Sequence, residues 1–279
     1  MRADLHVHTT ASDGSLTPQE LVQRAAELKL DVIAITDHDS VAGIGPALEA
    51  AQRYPQLTVI PGVEINTDVP RGEVHILGYF VDYRGTKLNN ALAELRNSRY
   101  VRGEKMVAKL AKMGIDIDWG RVLELAGGGS VGRPHIAQAI LERGYVSSFK
   151  EAFDNYIGRN APAYVERKKM APIEAVTLVL QADGLPVLAH PADIDPLEPF
   201  LLKLKKAGVV GIEIYYDGYT SKTITLLERL AQKHDLIPCG GSDYHGLDKS
   251  IGSELGSVDV PGESVERLIS LSKLKQKGW

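Results

Sequence analysis

Seven short β-rich segments punctuate this chain, and no other feature restricts its fold as strongly. They run from Asp4 to His8, Asp31 to Thr36, Thr58 to Ile65, Val74 to Val81, Pro186 to His190, Val209 to Tyr215 and Leu236 to Gly240. Helical patterns separate them. Alternation of this kind argues for a mostly parallel α/β sheet, open or closed, and a closed barrel gathers its chemistry at the C-terminal ends of its strands. The first helix is the best marked, because Thr17, Pro18 and Glu20 fit the N-cap, the first-turn proline and the partner of a capping box. It should run to about Leu28. The same logic puts helix starts near Pro172 and Thr220.

One interval breaks the rhythm. Asp82 to Leu185 spans roughly 100 residues where a few would serve as a βα link. Its pattern is mostly helical, at Leu88 to Met113, Pro134 to Arg143 and Ser148 to Tyr156, with a glycine turn at Gly127 to Gly129. The expected organisation is a barrel made of residues 1–81 and 186–279, with 82–185 inserted between the fourth and fifth strands as a helical cap. A length of 279 residues suits one such domain.

The net charge is only −4, so no global basic field argues for binding long nucleic acid, and any anion must be captured locally. A single cysteine, Cys239, excludes an internal disulfide framework and thiolate-rich zinc knuckles. The start MRADLHVHTT shows no basic-then-apolar leader, and no run of about 18 apolar residues follows. A cytoplasmic protein with no membrane span is expected.

The acids and histidines fall at strand ends. His6 and His8 sit two apart on the first strand, so their side chains share a face, as two ligands of one cation must. Asp13 follows in the next loop, Asp37 and His38 end the second strand, Glu64 lies near the end of the third, His190 ends the fifth, and Asp243 and His245 follow the seventh. His75 instead begins the fourth strand. If Asn66 to Val74, with Pro70 and Gly72, form a hairpin loop, the third and fourth strands are antiparallel and His75 lies beside Glu64. A lone histidine near a strand end is usually a hydrogen-bonded core residue, and His234, near a helix end, is read that way. Six of the eight histidines, however, accompany these carboxylates, and burying so many ionisable groups without cations is costly. Two or three divalent cations are therefore expected. Imidazole and carboxylate donors suit manganese, iron or zinc, with manganese the first expectation.

The motifs LHVHTTASDG, ITDHD, GVEI, VHILGY, LAHP and GGSDYH resemble the PHP (polymerase and histidinol phosphatase) family of metal-dependent phosphoesterases, and they span nearly the whole chain. The resemblance implies a distorted seven-stranded β/α barrel holding up to three metals. His6, His8, Glu64 and Asp243 would bind one, Glu64, His75 and His190 a second, and Asp13, His38 and His245 a third. Glu64 would bridge the first two. Asp37 would stand behind the ligands and fix a histidine tautomer. Within the insert, GRPHIA and RNSRYVRGEKM resemble the branch that includes nucleoside 3′,5′-bisphosphate phosphatases and a related 5′-to-3′ exoribonuclease, RNase AM.

The chemistry follows from charge. Three divalent cations outweigh the ionised ligands Asp13, Glu64 and Asp243, so the site attracts a phosphate dianion. Metal coordination brings the pKa of water to about 7, so no serine or cysteine nucleophile is needed. Specificity must then come from the cap. Arg96, Arg99 and Arg102 recur every three residues on one predicted helix, and Arg133 with His135 opens another, where free backbone N–H groups favour anions. Arg99, Arg102, Arg133 and His135 are the candidates for holding a second phosphate; the solvated-face reading suits Arg143, Lys168 and Lys169. Tyr215 and Tyr216 could stack on a base or pack in the core. The expected activity is removal of the 3′-phosphate from nucleoside 3′,5′-bisphosphates such as adenosine 3′,5′-bisphosphate. A 5′-to-3′ exoribonuclease on short 5′-phosphorylated RNA and a histidinol phosphatase are the alternatives. The expected partner is a small nucleotide, with no obligate protein partner.

Overall fold

The computed structural model describes residues 1–69, 72–167, 170–246 and 253–276, and its strands follow one another in a single seven-stranded sheet in chain order. The strands are β1 Ala3–Val7, β2 Val32–Ile35, β3 Thr58–Val69, β4 Gly72–Tyr79, β5 Leu185–Leu188, β6 Gly211–Tyr216 and β7 Ile237–Gly241. The helices are α1 Pro18–Glu27, α2 Ile44–Ala51, α3 Thr86–Lys112, α4 Trp119–Leu125, α5 Arg133–Glu142, α6 Phe149–Ala152, α7 Pro172–Gln181, α8 Leu197–Ala207, α9 Ser221–Lys233 and α10 Gly262–Gln276. The pairs β1–β2, β2–β3, β5–β6 and β6–β7 are parallel, whereas β4 runs antiparallel to both its neighbours. Reversing β4 brings its first residues to the rim where the parallel strands end. That is how His75 reaches Glu64.

The sheet is a nearly closed barrel. At the seam a single bridge joins Val7 to Tyr244, with His8 N–H donating to the Tyr244 carbonyl at 2.9 Å. Asp4 reinforces it. Its carboxylate accepts from Ser242 N–H at 2.9 Å, Ser242 Oγ at 2.6 Å and Gly256 N–H at 2.8 Å, tying β1 to the chain after β7. With His6 N–H at 3.3 Å as a fourth donor, this buried carboxylate is well compensated.

α1 forms as its signals require: Thr17 Oγ1 accepts from Glu20 N–H, the Glu20 carboxylate accepts from Thr17 N–H, and Pro18 opens the first turn. The β3–β4 hairpin differs from expectation. The stretch 66–74 is not a loop, because the ladder continues through Asn66–His75, Thr67–Val74 and Asp68–Glu73 to Val69–Gly72. Alternating Ile65, Thr67 and Val69 suit a strand; Pro70 and Arg71 lie outside the described residues. Lys168 and Lys169 also lie outside them.

The stretch 82–185 does not pack as one unit. α7 contacts β3, β4 and β5, and its Ala175, Val176 and Val179 join the main barrel cluster with Leu88, Leu92 and Leu95 of α3. A separate core runs from Met106 to Ala163, with Leu110, Ile136, Ile140 and Phe149 among its members. α3 therefore joins the two bodies. Its buried stripe reads Leu88, Leu92, Leu95, Arg99, Arg102, Met106, Leu110, a continuous three-and-four spacing in which two arginines replace apolar residues midway. Among the described residues, no helix is long and apolar enough to cross a membrane.

Candidate metal centre

All six strand-end histidines converge on Glu64, Asp13 and Asp243. Glu64 is fully buried and lies at the middle. Its Oε1 is 2.7 Å from His75 Nδ1 and 3.1 Å from His190 Nε2. Its Oε2 is 2.7 Å from His38 Nδ1 and 3.4 Å from the Nε2 atoms of both His6 and His8. The two oxygens thus face different sets of imidazoles. Asp243 Oδ1 is 2.9 Å from His8 Nε2 and 3.3 Å from His6 Nε2, while Asp13 Oδ1 lies 3.4 Å from His245 Nε2 and 4.0 Å from His38 Nε2.

Among the described residues, three sets have donor atoms all within 4.8 Å of one another: His8, Asp13, His38 and His245; His6, His8, Glu64 and Asp243; and His38, Glu64 and His75. His190 Nε2 adds to the last, 3.1 Å from His75 Nδ1. The donor chemistry fits divalent cations. His6 Nε2, His8 Nδ1, Asp13 Oδ1, His38 Nδ1 and Glu64 Oε2 are buried and make no hydrogen bond, although His38 Nδ1 and Glu64 Oε2 are close. Lone pairs aimed at one another with no donor between them call for a positive centre.

Electrostatics point the same way. Burial opposes ionisation of Glu64, yet the surrounding His38, His75 and His6 hold its pKa well below the usual carboxylate range. Burial likewise opposes charge on His245, but Asp13 and Asp243 raise it to about 10. Burial lowers His8 to about 3, helped by His245 and His38. Neighbouring imidazoles cannot all carry protons, and cations take the place of such protons when they bind.

Behind the ligands stands a second set of contacts. Asp37 was expected to fix a histidine tautomer, but its carboxylate bonds elsewhere: it accepts from Thr9 N–H at 2.7 Å, Thr9 Oγ1 at 2.8 Å and Ser12 Oγ at 2.6 Å. It braces the loop that carries Asp13. The tautomer-fixing carboxylate is Glu213 on β6, which sequence reasoning missed. It accepts from His6 Nδ1 at 3.0 Å, leaving Nε2 to face Glu64 and Asp243, and from His190 N–H at 2.7 Å. His190 has φ 23°, a conformation that L residues rarely adopt, so this second bond pins a strained residue at the rim. Tyr216 is neither a free stacking platform nor plain core: its hydroxyl donates to Asp243 Oδ2 at 2.8 Å and its ring lies 5.5 Å from that of His190. Tyr215 instead bonds Glu228. His234 pairs with Glu198 at 2.6 Å, away from the centre.

The cap reaches down to this rim. A Cβ at Gly132 would come within 2.8 Å of Asp13 Oδ2, and one at Gly129 within 2.5 Å of the Thr10 carbonyl, so both glycines permit close approach. His135 is buried, and its Nδ1 accepts from Gly132 N–H at 3.0 Å. Arg99 is already committed: its Nε donates to Asp39 Oδ2 at 2.6 Å, and its Nη2 reaches Asn66, whose side chain also meets His75 Nε2. Arg96 donates to the Asp39 carbonyl at 2.9 Å, and Arg167 Nη2 to the Asp39 carboxylate at 3.3 Å. Asp39 and Arg167 were not singled out in the sequence. Arg102 differs from Arg99. Both are only 5% exposed, but Arg102 Nε, like Arg167 Nε and Nη1, makes no hydrogen bond among the described residues. Arg133 is 20% exposed and pairs with Glu73 at 3.2 Å.

A nearly closed barrel with imidazoles and carboxylates gathered on its rim defines a metal-dependent hydrolytic centre. The chain belongs to the PHP family, whose PHP domain matches residues 4–164. Among its relatives, a 5′-3′ exoribonuclease Rnm of Salmonella typhimurium is 36% identical, over 87% of this chain and 84% of that protein. A 3′,5′-nucleoside bisphosphate phosphatase of Chromobacterium violaceum is 31% identical, over 92% of each. A solved structure from Bifidobacterium adolescentis, described as a metal-dependent phosphoesterase, superposes with a TM-score of 0.89 at 30% identity, covering 96% of this chain and 95% of that one. Family and fold together make this chain a metal-dependent phosphoesterase.

Proposed function

We propose that this phosphoesterase removes the 3′-phosphate from nucleoside 3′,5′-bisphosphates, releasing a nucleoside 5′-monophosphate and phosphate. One observation carries the reading: beneath the cap, Arg102 and Arg167 are buried with nitrogens that no acceptor among the described residues satisfies, and Arg167 bonds Asp39, the neighbour in sequence of His38. A buried unpaired guanidinium is costly, and a second phosphate of the substrate would compensate it.

The cations would be held by His6, His8, Glu64 and Asp243, by Glu64, His75 and His190, and by Asp13, His38 and His245, with manganese the expected ion. When bound they supply an activated water and stabilise the charge of the phosphoryl oxygens. The chain's own groups do the positioning. Glu64 offers one oxygen to each of two ligand sets, Glu213 keeps the His6 Nε2 directed at them, and Tyr216 orients Asp243. Arg102 and Arg167 bind the remote phosphate, with Arg133 and His135 at the edge of that site. Arg99 acts through Asp39 and Asn66, holding the arginine cluster against the ligand His75.

The relationship to the exoribonuclease, at 36% identity, favours a second reading in which the remote phosphate is the 5′ end of a short RNA. Phosphate and nucleotide release with added manganese separates the readings. Adenosine 3′,5′-bisphosphate, histidinol phosphate and 5′-phosphorylated RNAs of increasing length form the panel. Turnover of the bisphosphate well above the RNAs is the expected outcome, and a preference rising with RNA length would replace the phosphatase reading.

A further inference from the structure

A cavity of about 800 Å³ opens directly beside the metal ligand His190. We infer that it is the seat of the nucleobase, so that the enzyme selects nucleotides over other doubly phosphorylated sugars. The inference rests on the bisphosphate reading above. Its first support is position. Ala189 and His190 line one side of the cavity, and Glu73, the partner of Arg133, lines another. A nucleotide held by one phosphate at the metals and the other at the cap arginines has to place its base in a space adjoining both, and this cavity is lined by His190 on the metal side and by Glu73, the acid that pairs with Arg133, on the cap side.

The second support is chemistry. Val69, Val74, Ile194, Pro196 and Phe200 give the cavity apolar walls. Its rim carries the exposed Asp193 and Asp195, against the one lysine Lys203. Such a rim repels phosphodiesters, so an extended RNA backbone is a poor occupant, whereas a neutral, flat heterocycle loses nothing to it. A volume of this order suits a small ligand. Phe200 is half-buried and packed on the barrel cluster with Ile194 and Leu197, so its ring is a fixed surface for stacking. The turn before it is also held: Ala192 N–H donates to Tyr219 Oη at 3.1 Å, and Ile194 N–H to the Pro191 carbonyl at 3.1 Å.

The test compares adenosine 3′,5′-bisphosphate with its abasic counterpart, 1-deoxyribose 3,5-bisphosphate, in the manganese-loaded wild type, Phe200→Ala and Phe200→Trp. Loss of a base–aromatic stack should reduce the ratio of kcat/KM for the nucleotide to that for the abasic sugar by about 5- to 100-fold in Phe200→Ala. Phe200→Trp should retain it. A second readout is independent of which phosphate is cleaved: free adenosine should inhibit hydrolysis of p-nitrophenyl phosphate by the wild type and by Phe200→Trp, but much less by Phe200→Ala. An unchanged ratio, or adenosine inhibition equal in all three proteins, overturns the base seat. If the wild type hydrolyses p-nitrophenyl phosphate but neither bisphosphate, the bisphosphate reading has failed, and the adenosine arm still decides whether the cavity takes a base.

Discussion

At the barrel rim six imidazoles close around three carboxylates, whereas beneath the cap the buried guanidiniums of Arg99 and Arg167 share the carboxylate of Asp39, and the buried Arg102 Nε meets no acceptor among the described residues. Both regions bury ionisable groups at similar depth, yet they lack opposite things. The rim presents buried imidazole and carboxylate atoms with lone pairs aimed at one another; the cap presents N–H donors that meet no acceptor among the described residues. One region therefore calls for cations and the other for an anion. A substrate that brings two phosphates satisfies both, one through the metals and one directly.

Removing the cations should have the largest effect on this pairing. Verified metal-free protein should release no phosphate, and added manganese should restore turnover; full activity without metal would end the hydrolytic scheme. Glu64→Gln tests the same side more narrowly. A residue that merely orients a ligand costs about 10- to 100-fold when changed, and Glu64 faces two ligand sets, so turnover should fall further and bound metal should drop. Normal metal content in Glu64→Gln would remove Glu64 from the bridge.

Glu213→Gln should have a smaller and more selective effect. The amide can accept from only one of the two donors now bonded to the carboxylate, His6 Nδ1–H and His190 N–H, if its NH₂ turns towards the other. Metal affinity should fall about 10- to 100-fold, and the loss should be confined to the sites built on His6 and His190. Metal titrations monitored calorimetrically should show weakened binding events beside an unchanged one, assigned to Asp13, His38 and His245. Uniform weakening of every event would make Glu213 a general structural support.

On the cap side, Arg102→Met and Arg167→Met should each lower kcat/KM for adenosine 3′,5′-bisphosphate by about 10- to 100-fold, because a hydrogen bond to a charged group is worth roughly 1.5 to 3 kcal/mol. Adenosine 3′-monophosphate should be little affected. Arg99→Ala supplies the contrast. It leaves the buried Asp39 without its shortest ion pair, a change that costs about 3 to 5 kcal/mol in comparable cases, so the melting temperature should fall and both substrates should suffer alike. Selective loss in Arg99→Ala, or equal loss in Arg102→Met, would exchange the roles assigned to these two arginines.

The rim was far more legible in the sequence than the cap. Histidines and acids at strand ends stand out because a strand's period of two fixes which side chains share a face, and because His-rich strand ends are hard to explain by packing. The reversal of β4 could be inferred for the same reason: only an antiparallel pair puts His75 beside Glu64. Glu213 was hidden by its surroundings, since Gly211–Tyr216 reads as a buried strand and its one carboxylate carries no motif. Asn66 was assigned to a loop because Pro70 and Gly72 suggested an early turn, although the β-branched alternation favoured a longer ladder. In α3 the signal was present but incomplete. Arg99 and Arg102 occupy the leucine stripe, and an arginine in an apolar stripe is rarely a solvated face. The acid that Arg99 meets is Asp39, held at φ 50° after the second strand, and it is shared with Arg167 from an aperiodic segment. Neither position follows from local pattern.

The smallest expected effect sharpens the comparison most, because it concerns a cap arginine that already has its acid. Arg133 pairs with Glu73 at 3.2 Å, its side chain is 20% exposed, and its guanidinium lies 5.5 Å from the Phe153 ring and 5.9 Å from that of Tyr164. Its charge is partly neutralised and partly solvated, so little is left for a remote phosphate to gain. Partly exposed ion pairs are typically worth up to about 1 kcal/mol, which corresponds to roughly a fivefold change in kcat/KM. Arg133→Ala should therefore weaken use of adenosine 3′,5′-bisphosphate by no more than about fivefold, well short of the loss in Arg102→Met, with adenosine 3′-monophosphate unchanged. The two variants are to be compared under identical metal loading and at two salt concentrations, since the Arg133 effect should shrink with added salt while that of buried Arg102 should persist. If Arg133→Ala matched Arg102→Met on the bisphosphate, burial without a partner would not be what marks an arginine as a phosphate ligand here, and the anion site would have to be centred on Arg133 and the start of α5.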